Sequence, residues 1–170
     1  GWGFSASLLV SMAWVLVIVN AMNFLDNMDG LSAGVGATIA TVYLAATLIG
    51  GQWFVASLAA LLLGALMGFL LFNFPPAKLF MGDGGSLVIG VMLAVISVRT
   101  TYFDTKLPIQ NIDVSPGLSP GRWYAVLMPL MVMAIPLYDF TSVTVIRLMP
   151  GRSPLVGDPN HFSHRLVRKG

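Results

Sequence analysis

Apolar residues run along this chain almost without interruption, broken at a few places by tight polar clusters. The runs lie at about 5–25, 31–49, 53–74, 86–98 and 123–147. Each is close to the roughly 20 residues that a helix needs to cross a hydrocarbon core. The pattern predicts an all-α, polytopic transmembrane helix bundle with about five spanning helices. The fourth run is the shortest and either extends into 99–103 or tilts, and the fifth is interrupted by Pro129, Pro136 and Asp139. The first run reads as a span and not a signal peptide, because no basic segment precedes it and no small-residue cleavage site follows. The sequence opens at Gly1, nearly inside a span, which is the expectation for a processed chain or a part of a longer protein. Residues 1–170 are expected to form a single transmembrane domain.

Composition sharpens this. Only 9% of the 170 residues are charged, against about 25% in soluble domains, and the mean hydropathy is +0.84. A disordered chain and a soluble enzyme are excluded, and a net charge of +2 offers no basic stripe for nucleic acid. Without cysteine there are no disulfides, zinc–thiolate sites or thiol nucleophiles. All seven acids are Asp and none is Glu, although Glu is the better helix former. The acids therefore look placed for turns and ligands.

With five spans, the segments 20–30, 74–85 and 147–170 share one face. That face carries Lys78, Arg147, Arg152, Arg165, Arg168 and Lys169, against Arg99, Lys106 and Arg122 on the other. The excess of positive charge places it in the cytoplasm. The three densest polar clusters, NAMNFLDNMDG (20–30), NFPPAKLFMGDGGS (73–86) and GDPNHFSHRLVRK (157–169), all fall there. One composite site at the membrane surface is the economical reading.

In the first cluster Asn20, Asn23, Asp26 and Asp29 recur every third residue, one polar stripe if the helix continues. The alternative is an Asn/Asp-rich turn ending the helix at Gly30. In the second, Asp83 sits among glycines ahead of a span, a setting for phosphate and for a hard cation. A capped helix start with flexible glycines is the other reading, and the lack of a following lysine excludes a nucleoside-triphosphate P-loop. In the third, His161, His164 and Arg165 stand at i, i+3 and i+4, suited to phosphate oxygens; a zinc site and a basic tail on anionic lipid are the competing readings. Asp139 lies about 12 Å along the helix from Arg147, so it must pair or protonate, an interhelical hydrogen bond being favoured over a catalytic role. Gly30 with Gly34, and Gly64 with Gly68, have the spacing of helix-packing contacts.

These motifs, in this order, resemble those of the polyprenyl-phosphate N-acetylhexosamine-1-phosphate transferases. NAMNFLDNMDGLSAG is similar to the family's NxxNxxDGxDG segment, FNFPPAKLFMGDGGSL to its FNxxPAxxFMGDxGS segment, and HFSHR to the HxxHR motif of the branch using UDP-N-acetylglucosamine or a related sugar. The branch using UDP-MurNAc-pentapeptide carries a run of His there instead. The resemblance implies transfer of a HexNAc-1-phosphate, in the first instance GlcNAc-1-phosphate, from a UDP-sugar to polyprenyl phosphate with release of UMP, at the cytoplasmic side of the plasma membrane. It implies Asp83 as ligand of Mg²⁺ (or Mn²⁺), and Asp26 and Asp29 as acids of the catalytic pocket. Asn73 and Phe80 would hold the uracil, Asn20, Asn23 and Gly84 would line the substrate site, and His161, His164 and Arg165 would contact phosphates or sugar. The expected partners are a UDP-N-acetylhexosamine, a polyprenyl phosphate, the membrane and a second copy of the chain, and no nucleic acid. The family has about ten spans and an adjacent Asp pair near its start, so the chain resembles the C-terminal half and is expected to be inactive alone. A transporter or channel lined by Asn20, Asn23, Asp26, Asp29 and Asp139, and a non-catalytic scaffold, are the alternatives.

Overall fold

The computed structural model describes residues 3–102 and 123–148. Every regular element among them is a helix: α1 (Phe4–Leu25), α2 (Leu31–Ile49), α3 (Trp53–Asn73), α4 (Gly82–Tyr102), α5 (Trp123–Val132) and α6 (Ala134–Leu148). The first four are long and apolar enough to cross a membrane, as the hydropathy pattern predicts. At about 1.5 Å per residue α3 is about 31 Å long, matching a hydrocarbon core of about 30 Å. Trp53 and Phe54 are exposed at its start and Phe72 and Phe74 at its end, the belt positions that aromatic rings take at the two interfaces.

Two boundaries differ from the sequence reading. The fifth apolar stretch is two helices interrupted at Met133 rather than one continuous helix. Pro136 lacks the N–H that would bond the Val132 carbonyl, and its ring crowds that turn. The fourth helix starts at Gly82, four residues before its apolar run, and reaches Tyr102. Gly82 enters at φ +63°, which glycine adopts without a Cβ penalty.

Hydrophobicity does not choose the buried faces here, because lipid is as apolar as leucine; small residues that allow close approach do. α2 buries Ser32, Ala33, Gly36, Ala37, Ala40, Tyr43 and Thr47, largely against α3, which buries Val55, Ala56, Ala59, Leu62 and Leu66. α1 pairs with α4, and α6 docks on α1, where the Phe24 and Phe140 rings lie 5.4 Å apart at 51°. Asp139, next to that contact, is buried.

Of the four glycines expected to pack, only Gly30 does, an added Cβ there lying 3.5 Å from the Pro75 ring and 3.6 Å from the Asn73 carbonyl. An added Cβ at Gly34, Gly64 or Gly68 meets nothing within 4 Å among the described residues, whereas at Gly36 it would lie 3.3 Å from Ile89 and Leu66 atoms. At Gly90 it would lie 2.6 Å from the Val19 Cα. Gly90→Ala is therefore expected to lower stability by about 1–3 kcal/mol, since a helix backbone must move. Gly64→Ala should be neutral or slightly stabilising, as alanine is the better helix former. Thermal unfolding in detergent compares the two, and an equal loss would refute the α1–α4 approach.

Candidate active site

α1 stops at Leu25, and residues 26–30 form a turn in which Gly30 takes φ +74°. The helical stripe expected through 20, 23, 26 and 29 therefore ends at Asn23, and the four side chains diverge. Asn20 is exposed and donates back to the Leu16 carbonyl at 2.7 Å. Asn23 reaches across to α4, its Nδ2 donating to Ser86 Oγ at 3.0 Å and Asp83 Oδ1 at 3.3 Å. Asp26 follows at the end of α1, within electrostatic range of Asp83. Asp29 turns to the neighbouring loop, where its Oδ2 accepts the Ala77 N–H at 3.0 Å.

The loop after α3 is tied to the same end. Asn73 is buried; its Oδ1 accepts the Gly30 N–H at 2.9 Å and its Nδ2 donates to the Leu79 carbonyl at 2.8 Å. The Lys78 N–H closes the loop on the Phe72 carbonyl at 2.8 Å. Asn73, expected from the resemblance to hold a base, thus clamps the two motif loops to each other. Phe80, held on that loop, is 74% exposed, leaving a ring face open for stacking.

Asp83 lies in the first turn of α4, not in a glycine loop ahead of it. There its charge meets the positive end of the helix dipole, and with Gly84 it is exposed. Ser86, fully buried, donates to the Asp83 carbonyl at 3.1 Å. Ser86 stands in the second motif without chemistry that marks it out in sequence, its place three residues after Asp83 being the available signal. His161, His164, Arg165 and Asp158 lie outside the described residues.

Burial first, and the charge of Asp83 second, raise the Asp26 carboxyl above its ordinary value of 3.8. A raised folded-state pKa means the folded protein holds that proton more tightly than the unfolded chain does. The charged form then opposes folding above the folded-state value, and the opposition fades as pH falls through that value towards 3.8. Without divalent cations, Asp26→Asn is expected to raise the melting temperature near neutral pH, by an amount that shrinks as the pH is lowered. A gain independent of pH would contradict the shift.

Asp83, with Asp26 within electrostatic range, offers hard carboxylate oxygens. No third acid or His joins them to complete a cluster among the described residues. Mg²⁺ usually takes only one or two carboxylates, the rest being water and phosphate oxygens, so the residues present fit such an ion.

The fold defines a multi-pass membrane protein with acidic side chains gathered on helix ends and a turn at one end of its bundle. Residues 2–101 match glycosyl transferase family 4, and the chain belongs to that family. It is 30% identical, over 95% of its length, to a probable undecaprenyl-phosphate N-acetylglucosaminyl 1-phosphate transferase of Bacillus subtilis. It is 38% identical over 97% to a decaprenyl-phosphate N-acetylglucosaminephosphotransferase of Mycolicibacterium smegmatis. A phospho-N-acetylmuramoyl-pentapeptide-transferase of Streptococcus pyogenes is 46% identical over 59% of the chain. The chain spans 40%, 41% and 30% of these relatives respectively.

Proposed function

We propose that this chain supplies part of the active site of a phosphotransferase that moves a HexNAc-1-phosphate from a UDP-sugar to a polyprenyl phosphate, releasing UMP at the cytoplasmic face of the plasma membrane. The observation that supports this is the joining of Asn23 to Asp83 and Ser86 in the first turns of α4, with Asp26 within electrostatic range, at the end where two motif loops are clamped together. A diphosphate substrate needs charge neutralisation and alignment more than covalent help. Exposed N–H groups at the start of α4, including Gly84, suit phosphate oxygens, and Phe80 suits a uracil face. Asp83, with Asp26 beside it, would hold Mg²⁺, which when bound would offset charge developing on the departing UMP. Asp29 acts by fixing the 74–81 loop, and Asn20 lies on the exposed flank of α1, open to substrate. His161, His164 and Arg165 are assigned to phosphate or sugar on chemistry and motif alone.

N-acetylglucosamine is favoured as the sugar because the two relatives named for it match nearly the whole chain and because the tail reads HFSHR. The relatives' names support a polyprenyl phosphate acceptor. The test is UMP release by the native-length protein in nanodiscs supplied with UDP-GlcNAc, undecaprenyl phosphate and Mg²⁺. Release that requires both substrates and stops with EDTA is expected. Ion flux through liposomes carrying the protein, indifferent to nucleotide and without UMP release, would replace the enzyme with a channel.

A further inference from the structure

Three cross-helix contacts join α1 to α4, and they share one antiparallel register. Nearest the site, Asn23 bonds Ser86 and Asp83; one turn away, Gly90 faces the Val19 backbone; further along, the Trp14 indole N–H donates to Ser97 Oγ at 2.9 Å. We infer that this seam holds the Asp83 carboxylate against Asn23 at the end of α1, and that Asn23, Ser86 and Gly90 are positioning residues for a divalent cation bound by Asp83. The inference rests on the function proposed above.

Two neighbouring carboxylates repel, and nothing local opposes their separation. Asp83 is exposed and flanked by Gly82, Gly84 and Gly85, so its own segment contributes little stiffness. The restraint comes from deeper in the bundle. Ser86 has no exposed surface and holds two bonds at once, accepting from Asn23 on α1 and donating to the Asp83 carbonyl. The same Asn23 nitrogen also reaches the Asp83 carboxylate. One amide thereby fixes both the backbone and the side chain of the acid relative to α1, the helix that ends in Asp26. Asparagine is short, and it spans the gap only because Gly90 lets the two backbones meet one turn below. A Cβ there would fall 2.6 Å from the Val19 Cα. The Trp14–Ser97 bond opposes sliding, since a slip of one turn is about 5.4 Å and would carry Asn23 out of reach of Ser86. The Asp83 carboxylate is thus fixed relative to the end of α1 before a cation arrives, and the ion need not order that ligand itself.

The experiment measures Mn²⁺ binding by electron paramagnetic resonance, with Mn²⁺ alone as the probe, to the native-length protein in nanodiscs. Melting temperature is recorded beside it. Ser86→Ala removes one oxygen and leaves the packing, and it is expected to weaken Mn²⁺ binding roughly 10-fold or more, the usual effect of losing a partner that orients a metal ligand. Ser86→Thr, which keeps the hydroxyl, should bind close to the unaltered protein. Asn23→Ala should weaken binding similarly, and the double substitution with Ser86→Ala little more than either alone, because both act through one bridge. Mn²⁺ binding unchanged in Ser86→Ala and Asn23→Ala but abolished in Asp83→Asn would overturn the positioning inference and leave the proposed function standing. Binding that survives Asp83→Asn would overturn both.

Discussion

Asp83→Asn is expected to reduce UMP release by roughly 10³-fold or more, since removing an electrostatic contact to charge that develops in the transition state costs several kcal/mol. The melting temperature should change little. Asp83 is exposed in the first turn of α4, so the substitution leaves no buried group without a partner. Asparagine retains an oxygen for the Asn23 amide, and only the charge is lost. Asp26→Ala is expected to abolish turnover as well, while Asp104→Ala, which lies outside the described residues and is expected from the parity of the spans on the opposite side, should leave it intact. Equal damage from Asp104→Ala would refute the assignment of sides.

Asn73→Ala should show the largest loss of stability outside the helix seams. It removes both bonds of a buried amide, leaving the Gly30 N–H and the Leu79 carbonyl without their partner. Both partners are only partly buried and water can replace the lost bonds, so a loss of about 1–2 kcal/mol is expected. The 26–31 and 72–80 segments should both gain in hydrogen exchange, since the amide is shared between them, while the middle of α2 should not. KM for the UDP-sugar should rise as Phe80 and Asp29 lose their fixed positions. Protection changing in one loop only would mean that Asn73 does not couple them.

The spans α1, α2 and α3 fall within a residue or two of their apolar runs because lipid imposes a length as well as a composition. The start of α4 did not follow the same rule. Its first turn, Gly82 to Gly85, is glycine and Asp, a composition that reads as loop, yet burial of Ser86 and its bond to Asn23 anchor the turn as helix. The stripe 20, 23, 26, 29 failed for the converse reason. Its spacing is helical, but the turn at 26–30 ends α1 and sends Asp26 to one neighbour and Asp29 to another. The proline-bearing fifth stretch carried its own warning, and the break came at the turn Pro136 disrupts.

Motif order, apolar run length and the paucity of charge determined by themselves that this chain crosses a membrane several times and that two of its polar clusters, 20–30 and 73–86, lie at one end. Those features depend on local composition measured against a slab of fixed thickness. Which residues meet across the bundle was left to the tertiary structure. In lipid, hydrophobic periodicity carries no information about the buried face, and helix contacts are set by steric fit. Gly64 and Gly68 show the packing spacing and meet nothing among the described residues, whereas Gly90, which has the same spacing to Ser86 and Ala94, lies against the Val19 backbone. The same steric fit joins Asn23 to Ser86 and Asp83, and Asn73 to Gly30 and Leu79.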